Sequence, residues 1–321
     1  MAERHPTNST MTASAMTFRS LDGFFAYEAA TAEGINRPAS KLFDQYTRIP
    51  TSWHAFRHHI SSLAISTDAV KVLYFIRHAE GHHNAAEKHH GTAVWDHSVS
   101  KQDAYLDAEL NAAGIADASK RSISMRGELD AGMPLDRILV SPLTRTVQTA
   151  NLYFNLTSPT TSQVPVHAIE SARETLGVHT CDKRRPTASL EADFPHVDWS
   201  RIEPNVDILW HPSHRETTDE IHARCRDFLH EVFYTVPDTY LAVVSHGGFI
   251  QACMDVLGMP SYKPANCEVV PVVVAMTSAL NPTNNHLIED DDDISCMSTL
   301  LLAIAVVVIT KWVKYATMHG R

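Results

Sequence analysis

The run Val70-Lys71-Val72-Leu73-Tyr74-Phe75-Ile76 constrains the fold more than any other stretch of this chain. Lys71 apart, it is apolar and rich in β-branched and aromatic residues, as a buried strand requires. It ends in Arg77-His78, and the chain then turns into Ala79-Glu80-Gly81-His82-His83-Asn84. A guanidinium and an imidazole at the carboxyl end of a strand stand at the edge where open α/β sheets bind ligands. Arginine offers a planar fork for phosphate oxygens, and histidine can act as a nucleophile.

The pattern downstream is that of a strand–helix repeat. Strands are expected at 70–76, 137–140, 164–169, 241–245 and 268–274, with helices near 111–126, 143–154, 218–234 and 248–257. Ser141-Pro142 suits an N-cap followed by proline at the first helical position. The predicted fold is a three-layer α/β sandwich, a mostly parallel sheet flanked by helices. Three further strand ends carry chemistry. Arg145 falls in the first turn of the helix after strand 137–140, beside free backbone N–H groups suited to an anion. Ser171-Ala172-Arg173-Glu174-Thr175-Leu176-Gly177 supplies a carboxyl group after strand 164–169. Ser245-His246-Gly247-Gly248 ends a strand in a second histidine, with glycines that permit close backbone approach.

The flanking regions read differently. Residues 1–20 are polar and expected to be disordered, whereas 21–69 hold enough aromatic residues to form an N-terminal extension packed on the core. A catalytic domain is expected over 70–276, then an acidic linker over 277–293. Ile294 to Thr310 carries no charge and is followed by Lys311, Trp312 and Lys314. Residues 294–313 therefore suggest a C-terminal transmembrane anchor that would tether a cytoplasmic catalytic domain to an intracellular membrane, the alternative being a buried core element. A net charge of -10 gives no general basic field for nucleic acid, so a phosphate site must be local. The five cysteines are scattered and odd in number, which argues for reduced thiols rather than a disulfide framework.

Over residues 70–275 the set resembles the histidine phosphatase superfamily, in the branch that includes the cofactor-dependent phosphoglycerate mutases. Arg173-Glu174-Thr175-Leu176-Gly177-Val178-His179-Thr180-Cys181-Asp182-Lys183-Arg184-Arg185, Trp95-Asp96 and Asp107-Ala108-Glu109-Leu110-Asn111-Ala112-Ala113-Gly114 are similar to the phosphoglycerate mutase-like proteins of fungi and plants. Ala79-Glu80 departs from the pattern, since relatives often have glycine and another polar residue there; a small effect on the loop is expected. The resemblance implies a phosphoglycerate mutase-like fold and a phosphohistidine formed on His78. Arg77, Arg145 and His246 would surround the phosphoryl oxygens, Asn84 would add a donor, and Glu174 would be the proton donor. It implies no metal and no other cofactor, because the arginines and second histidine supply the positive charge.

Competing readings of individual residues stand beside these. Glu170 rivals Glu174 as proton donor. His82, His83, His89 and His90 are expected to form a solvated histidine-rich loop rather than a zinc site. His179, Cys181, Lys183, Arg184 and Arg185 either line the substrate entrance or form an exposed basic turn. The expected activity is a phosphomonoester phosphatase acting on a small phosphorylated substrate. The alternatives are a phosphomutase and a non-catalytic, membrane-tethered module that binds phosphorylated ligands.

Overall fold

The computed structural model describes residues 16–29, 41–66, 69–156 and 164–278. Its centre is a six-stranded sheet built on strand β4 (Ala69–Arg77), whose residues from Val72 to Ile76 are fully buried. In spatial order the strands are β1 (Met16–Ser20), β8 (Val269–Ser278), β4, β7 (Tyr240–Ser245), β5 (Arg137–Val140) and β6 (Val166–Ala168). β4, β7, β5 and β6 run parallel, while β8 is antiparallel to both β4 and β1. The sheet is therefore mostly parallel, and β2 (Phe25–Tyr27) and β3 (Tyr46–Arg48) pair antiparallel in a separate two-stranded sheet.

Neighbouring side chains of β4 point to opposite faces of the sheet, and their partners identify the two helical layers. Tyr74 meets Phe43 and Trp53, the latter opening α1 (Trp53–Ser66). The Trp53 indole donates to Glu128 of α4 (Ala112–Asp130), which packs on α5 (Thr144–Phe154). Phe75, on the other face, meets Phe228 of α7 (Thr218–Thr235), and Phe228 meets Phe249 of α8 (Gly247–Val256). Helices thus cover both faces, as continuously apolar strands demand.

Several boundaries differ from expectation. The disorder expected over 1–20 is corrected for Met16–Ser20, which form β1 by pairing with Ser278 back to Val274. That partner lies far away in sequence, so no local pattern announces it; residues 1–15 lie outside the described residues. β8 runs on to Ser278, so the linker does not begin at 277. Helix α5 starts at Thr144 with Leu143 at its N-cap, not at Ser141-Pro142. The anchor segment 294–313 also lies outside the described residues; among those described, no helix is long and apolar enough to cross a membrane. Cys181, Cys225, Cys253 and Cys267 are buried.

The register fixes where the chemistry gathers. Arg77 pairs with Ser245, Val140 with Val244, and Val140 with Ala168. The carboxyl ends of four parallel strands are level, so the residues that follow them share one edge.

Candidate active site

His78 follows the last residue of β4 and is 1% exposed. Its backbone N–H donates to the Ser245 carbonyl at 2.9 Å, and its own carbonyl accepts from the Asn266 amide at 2.9 Å. Ring nitrogen Nδ1 lies 2.7 Å from the Ala79 carbonyl. A carbonyl can only accept, so Nδ1 carries the proton and Nε2 holds the lone pair. Burial, with Arg145 and Arg77 close by, holds His78 well below the usual histidine range and keeps the ring neutral.

The second histidine is fixed in a complementary way. His246 caps α8, fully buried, with its ring centroid 5.1 Å from that of His78. Arg145 Nη2 stands 3.1 Å from His246 Nδ1. A guanidinium can only donate, so Nδ1 accepts and Nε2–H donates to Ser141 Oγ at 2.8 Å. Burial, then Arg145, His78 and His83, push His246 well below its ordinary value.

Two arginines complete the cationic wall. Arg77 donates to the Pro264 carbonyl at 2.7 Å, and among the described residues its buried Nε has no hydrogen-bond partner. A Cβ on Gly247 would stand 3.0 Å from that nitrogen, so the glycine leaves room for the guanidinium over the start of α8. Arg145 is fully buried, donating to the Cys181 carbonyl at 2.6 Å and to Asp182 Oδ1 at 3.0 Å. Asp182 in turn accepts from Arg215 at 2.8 Å. Burial pushes the Asp182 carboxyl up, but Arg215 and Arg145 outweigh it and hold the group below its ordinary value.

Glu174 is half-buried where the chain leaves β6. Its carboxylate accepts from the Thr175 N–H at 2.9 Å and from the Gly248 N–H, in the first turn of α8, at 3.3 Å. The rival Glu170 is committed elsewhere, to Arg173 at 2.7 Å and Arg184 at 3.2 Å. Asn84 is buried, and its Oδ1 accepts the Gly81 N–H at 3.0 Å, which leaves the amide nitrogen as its donor. Arg77, His78, Asn84, Arg145, Glu174 and His246 thus all border one edge of the sheet.

Other expectations change. His82, His83, His89 and His90 lie on a helix, α2 (His82–His90), not a loop, and His83 is buried with its ring 5.5 Å from that of His78. Arg184 is no exposed entrance residue. It is buried among Glu170, Thr187 and the carbonyls of Pro204 and Asn205. Lys183, by contrast, lies over the Trp210 ring, 4.9 Å from its centroid. The Ala79-Glu80 departure is accommodated quietly. Ala79 is buried, its N–H donating to Thr149 Oγ1 at 3.0 Å, while the Glu80 carbonyl accepts the Asn111 N–H. His179, Cys181 and Asp182 come close enough to suggest a metal site. The Asp182 oxygens already accept from Arg145 and Arg215, however, and burial holds the Cys181 thiol in its protonated form, so the donor set does not suit a cation.

Asp107, Arg215 and Arg224 are the supports that sequence reasoning missed. Asp107 accepts from the Thr144 N–H at 2.8 Å and hydroxyl at 2.5 Å, capping the helix that carries Arg145. Arg224 grips the carbonyls of Ser171, Arg173 and Glu174. Only the loop Asp107–Gly114, picked out as a stretch, hinted at any of them.

The fold and edge define an α/β protein with a buried arginine–histidine site at the carboxyl ends of parallel strands. A family model, "Histidine phosphatase superfamily (branch 1)", matches residues 73–279. The chain belongs to that superfamily. The "Probable phosphoglycerate mutase" of Arthroderma benhamiae is 32% identical over 71% of this chain and 71% of its own length. A "Phosphoglycerate mutase-like protein" of Arabidopsis thaliana is 30% identical over 64% of this chain and 84% of its own. The solved structure of a mycobacterial glucosyl-3-phosphoglycerate phosphatase is similar over 64% of this chain and 91% of that one, with 22% identity and a TM-score of 0.39.

Proposed function

We propose that the chain is a metal-independent phosphomonoester phosphatase that works through a phosphohistidine on His78. The observation that carries this reading is the bond between His78 Nδ1–H and the Ala79 carbonyl, which leaves the Nε2 lone pair to the site. In the first step Nε2 attacks phosphorus in line with the ester oxygen, the P–N bond forming as the P–O bond breaks. Glu174, as the carboxylic acid, gives its proton to the leaving oxygen. Arg77, Arg145 and the Asn84 amide donate to the equatorial oxygens, where charge must be stabilised. A phosphoryl dianion favours uptake of a proton from solvent at His246 Nδ1, which gives up the Arg145 N–H it accepts and donates to a phosphoryl oxygen instead.

The second step reverses the roles. Glu174, now a carboxylate, takes a proton from water whose oxygen attacks phosphorus. The P–N bond breaks, inorganic phosphate leaves and His78 returns to its starting tautomer. Throughout, the Ala79 carbonyl opposes the positive charge that the phosphorylated ring carries. The substrate on this reading is a small phosphorylated molecule.

The names of the relatives favour a second reading, a phosphomutase. It requires the phosphoenzyme to keep its intermediate from water while the substrate turns over. Conversion of 3-phosphoglycerate to 2-phosphoglycerate without phosphate release would select it, and ligand binding with no turnover would select a non-catalytic module. Membrane association through residues 294–313 rests on the sequence, and carbonate extraction of cells expressing the full chain tests it.

The deciding experiment is phosphate release from p-nitrophenyl phosphate by the full chain, with and without EDTA, beside His78→Ala. Turnover should survive EDTA and fall by roughly 10³-fold or more in the variant. Turnover retained by His78→Ala, or abolished by EDTA, would overturn the mechanism.

A further inference from the structure

One member of the histidine cluster behaves unlike the rest. His82, His89 and His90 are exposed on α2, but His83, in its first turn, is 7% exposed. Its ring centroid lies 5.5 Å from that of His78 and 6.5 Å from that of Trp95. Among the described residues its Nδ1 has no hydrogen-bond partner, although it is shut away from solvent. Burying an imidazole nitrogen unpaired costs free energy that a phenyl ring of similar size would not, so packing against Trp95 alone does not account for histidine here. The backbone is also cut to admit the ring. A Cβ on Gly81 would stand 2.7 Å from His83 Nδ1, and Gly81 has an ordinary extended conformation, so what its lack of a side chain provides is space.

We propose that His83 is a third imidazole of the phosphoryl pocket, donating a ring N–H to the group that His78 attacks. The inference rests on the phosphatase reading above. Burial, with Arg145, His78 and Arg77 nearby, holds His83 well below the usual histidine range, so the ring is neutral and offers a single N–H. A neutral donor suits the place. A third guanidinium beside His78 would withdraw electron density from the nucleophile through its field, whereas an uncharged N–H binds a phosphoryl oxygen without that effect. The position at the start of α2 adds the favourable end of the helix dipole.

The test compares wild type, His83→Phe and His83→Gln in the full chain. The phenyl ring keeps the packing against Trp95 and removes both nitrogens, while glutamine restores an N–H donor. His83→Phe should raise the inhibition constant of orthovanadate about tenfold and lower kcat/KM for p-nitrophenyl phosphate by a similar factor, with His83→Gln recovering most of both. A His83→Phe enzyme within twofold of wild type in both quantities would overturn the proposal. Should that variant fail to fold, imidazole ¹H–¹⁵N spectra of wild type decide. The His83 signal, identified by its loss in His83→Gln, should move on saturation with orthovanadate, and an unmoved signal would overturn the proposal. Failure of the underlying reading looks different: wild type would not bind orthovanadate, or His78→Ala would keep its turnover. An active wild type, an inactive His78→Ala and a near-normal His83→Phe would remove this inference alone.

Discussion

Gly248 has no room for a methyl group. A Cβ there would collide with the Glu174 carboxylate and stand 2.9 Å from Thr175 Oγ1. Gly248→Ala should therefore displace the proton donor without disturbing the core. The expected result is a fall in kcat/KM of roughly 10²-fold on an alkyl phosphate, approaching the loss in Glu174→Gln, with little change in melting temperature. Steady-state kinetics and a thermal melt check both halves. At this scale much of the site was legible. His78, Arg145, Glu174 and His246 each follow a strand by a few residues, and Arg77 ends one, so the strand pattern brings them to one edge, while their roles come from the family resemblance. His83 was not, because one histidine of four on the same helix carries no sign of which side it faces. Asp182 and Arg215 were hidden for another reason: Asp182 pairs with Arg145, and Arg215 with Asp182, across loops, and ion pairs leave no local pattern.

Helix α5 illustrates the element scale. Its first turn holds Arg145, yet Leu143 at its N-cap has no side-chain oxygen with which to bind the free N–H groups. Asp107 supplies it from a distant loop, and Arg185 Nε bonds the same carboxylate at 2.9 Å. Asp107→Ala should cost about 2 kcal/mol of stability, combining a lost cap with a buried Thr144 O–H left without its acceptor, and should weaken orthovanadate binding by loosening Arg145. Asp107→Asn keeps an acceptor oxygen and should lose less of both. Urea unfolding and inhibition constants for the two variants test this, and equal behaviour of Ala and Asn would show that the cap is not what Asp107 provides. The sequence pointed to a helix here but misplaced its cap, since Ser141-Pro142 meets the local rule while the tertiary partner supplies the oxygen. Strand β4 needed no such help, because its burial is written in its own composition.

For the whole molecule, long-range pairing decides what the sequence could not show. β1 covers β8 only from Val274 to Ser278. Pro271 pairs with Tyr74 in the part of β8 that β1 leaves uncovered, and a proline with no N–H to offer suits such an edge. The buried site also sets how stability depends on pH. His78, His83 and His246 all titrate well below 6.5 in the folded protein. Below that value the unfolded chain binds more protons than the folded one, so stability falls as pH falls, by up to about 1.4 kcal/mol per pH unit for each histidine. Asp182 acts in the same direction further down. Its folded value is lowered from 3.8, so its contribution is complete above that pH and is lost as pH drops towards the folded value. Urea unfolding from pH 8 to pH 5 should show the free energy falling steeply below about 6.5, and more gently in His246→Gln; a flat profile would mean that the three rings are not held neutral.

The predictions about activity rest on one claim, that the phosphoryl group passes through Nε2 of His78. The most direct measurement is an alkaline quench during turnover of a ³²P-labelled phosphomonoester, followed by peptide mapping of the labelled chain. The predicted result is an acid-labile, alkali-stable label on His78, strengthened in Glu174→Gln with a good leaving group and absent from His78→Ala. An active enzyme that carries no label, or carries it on another residue, would contradict the account.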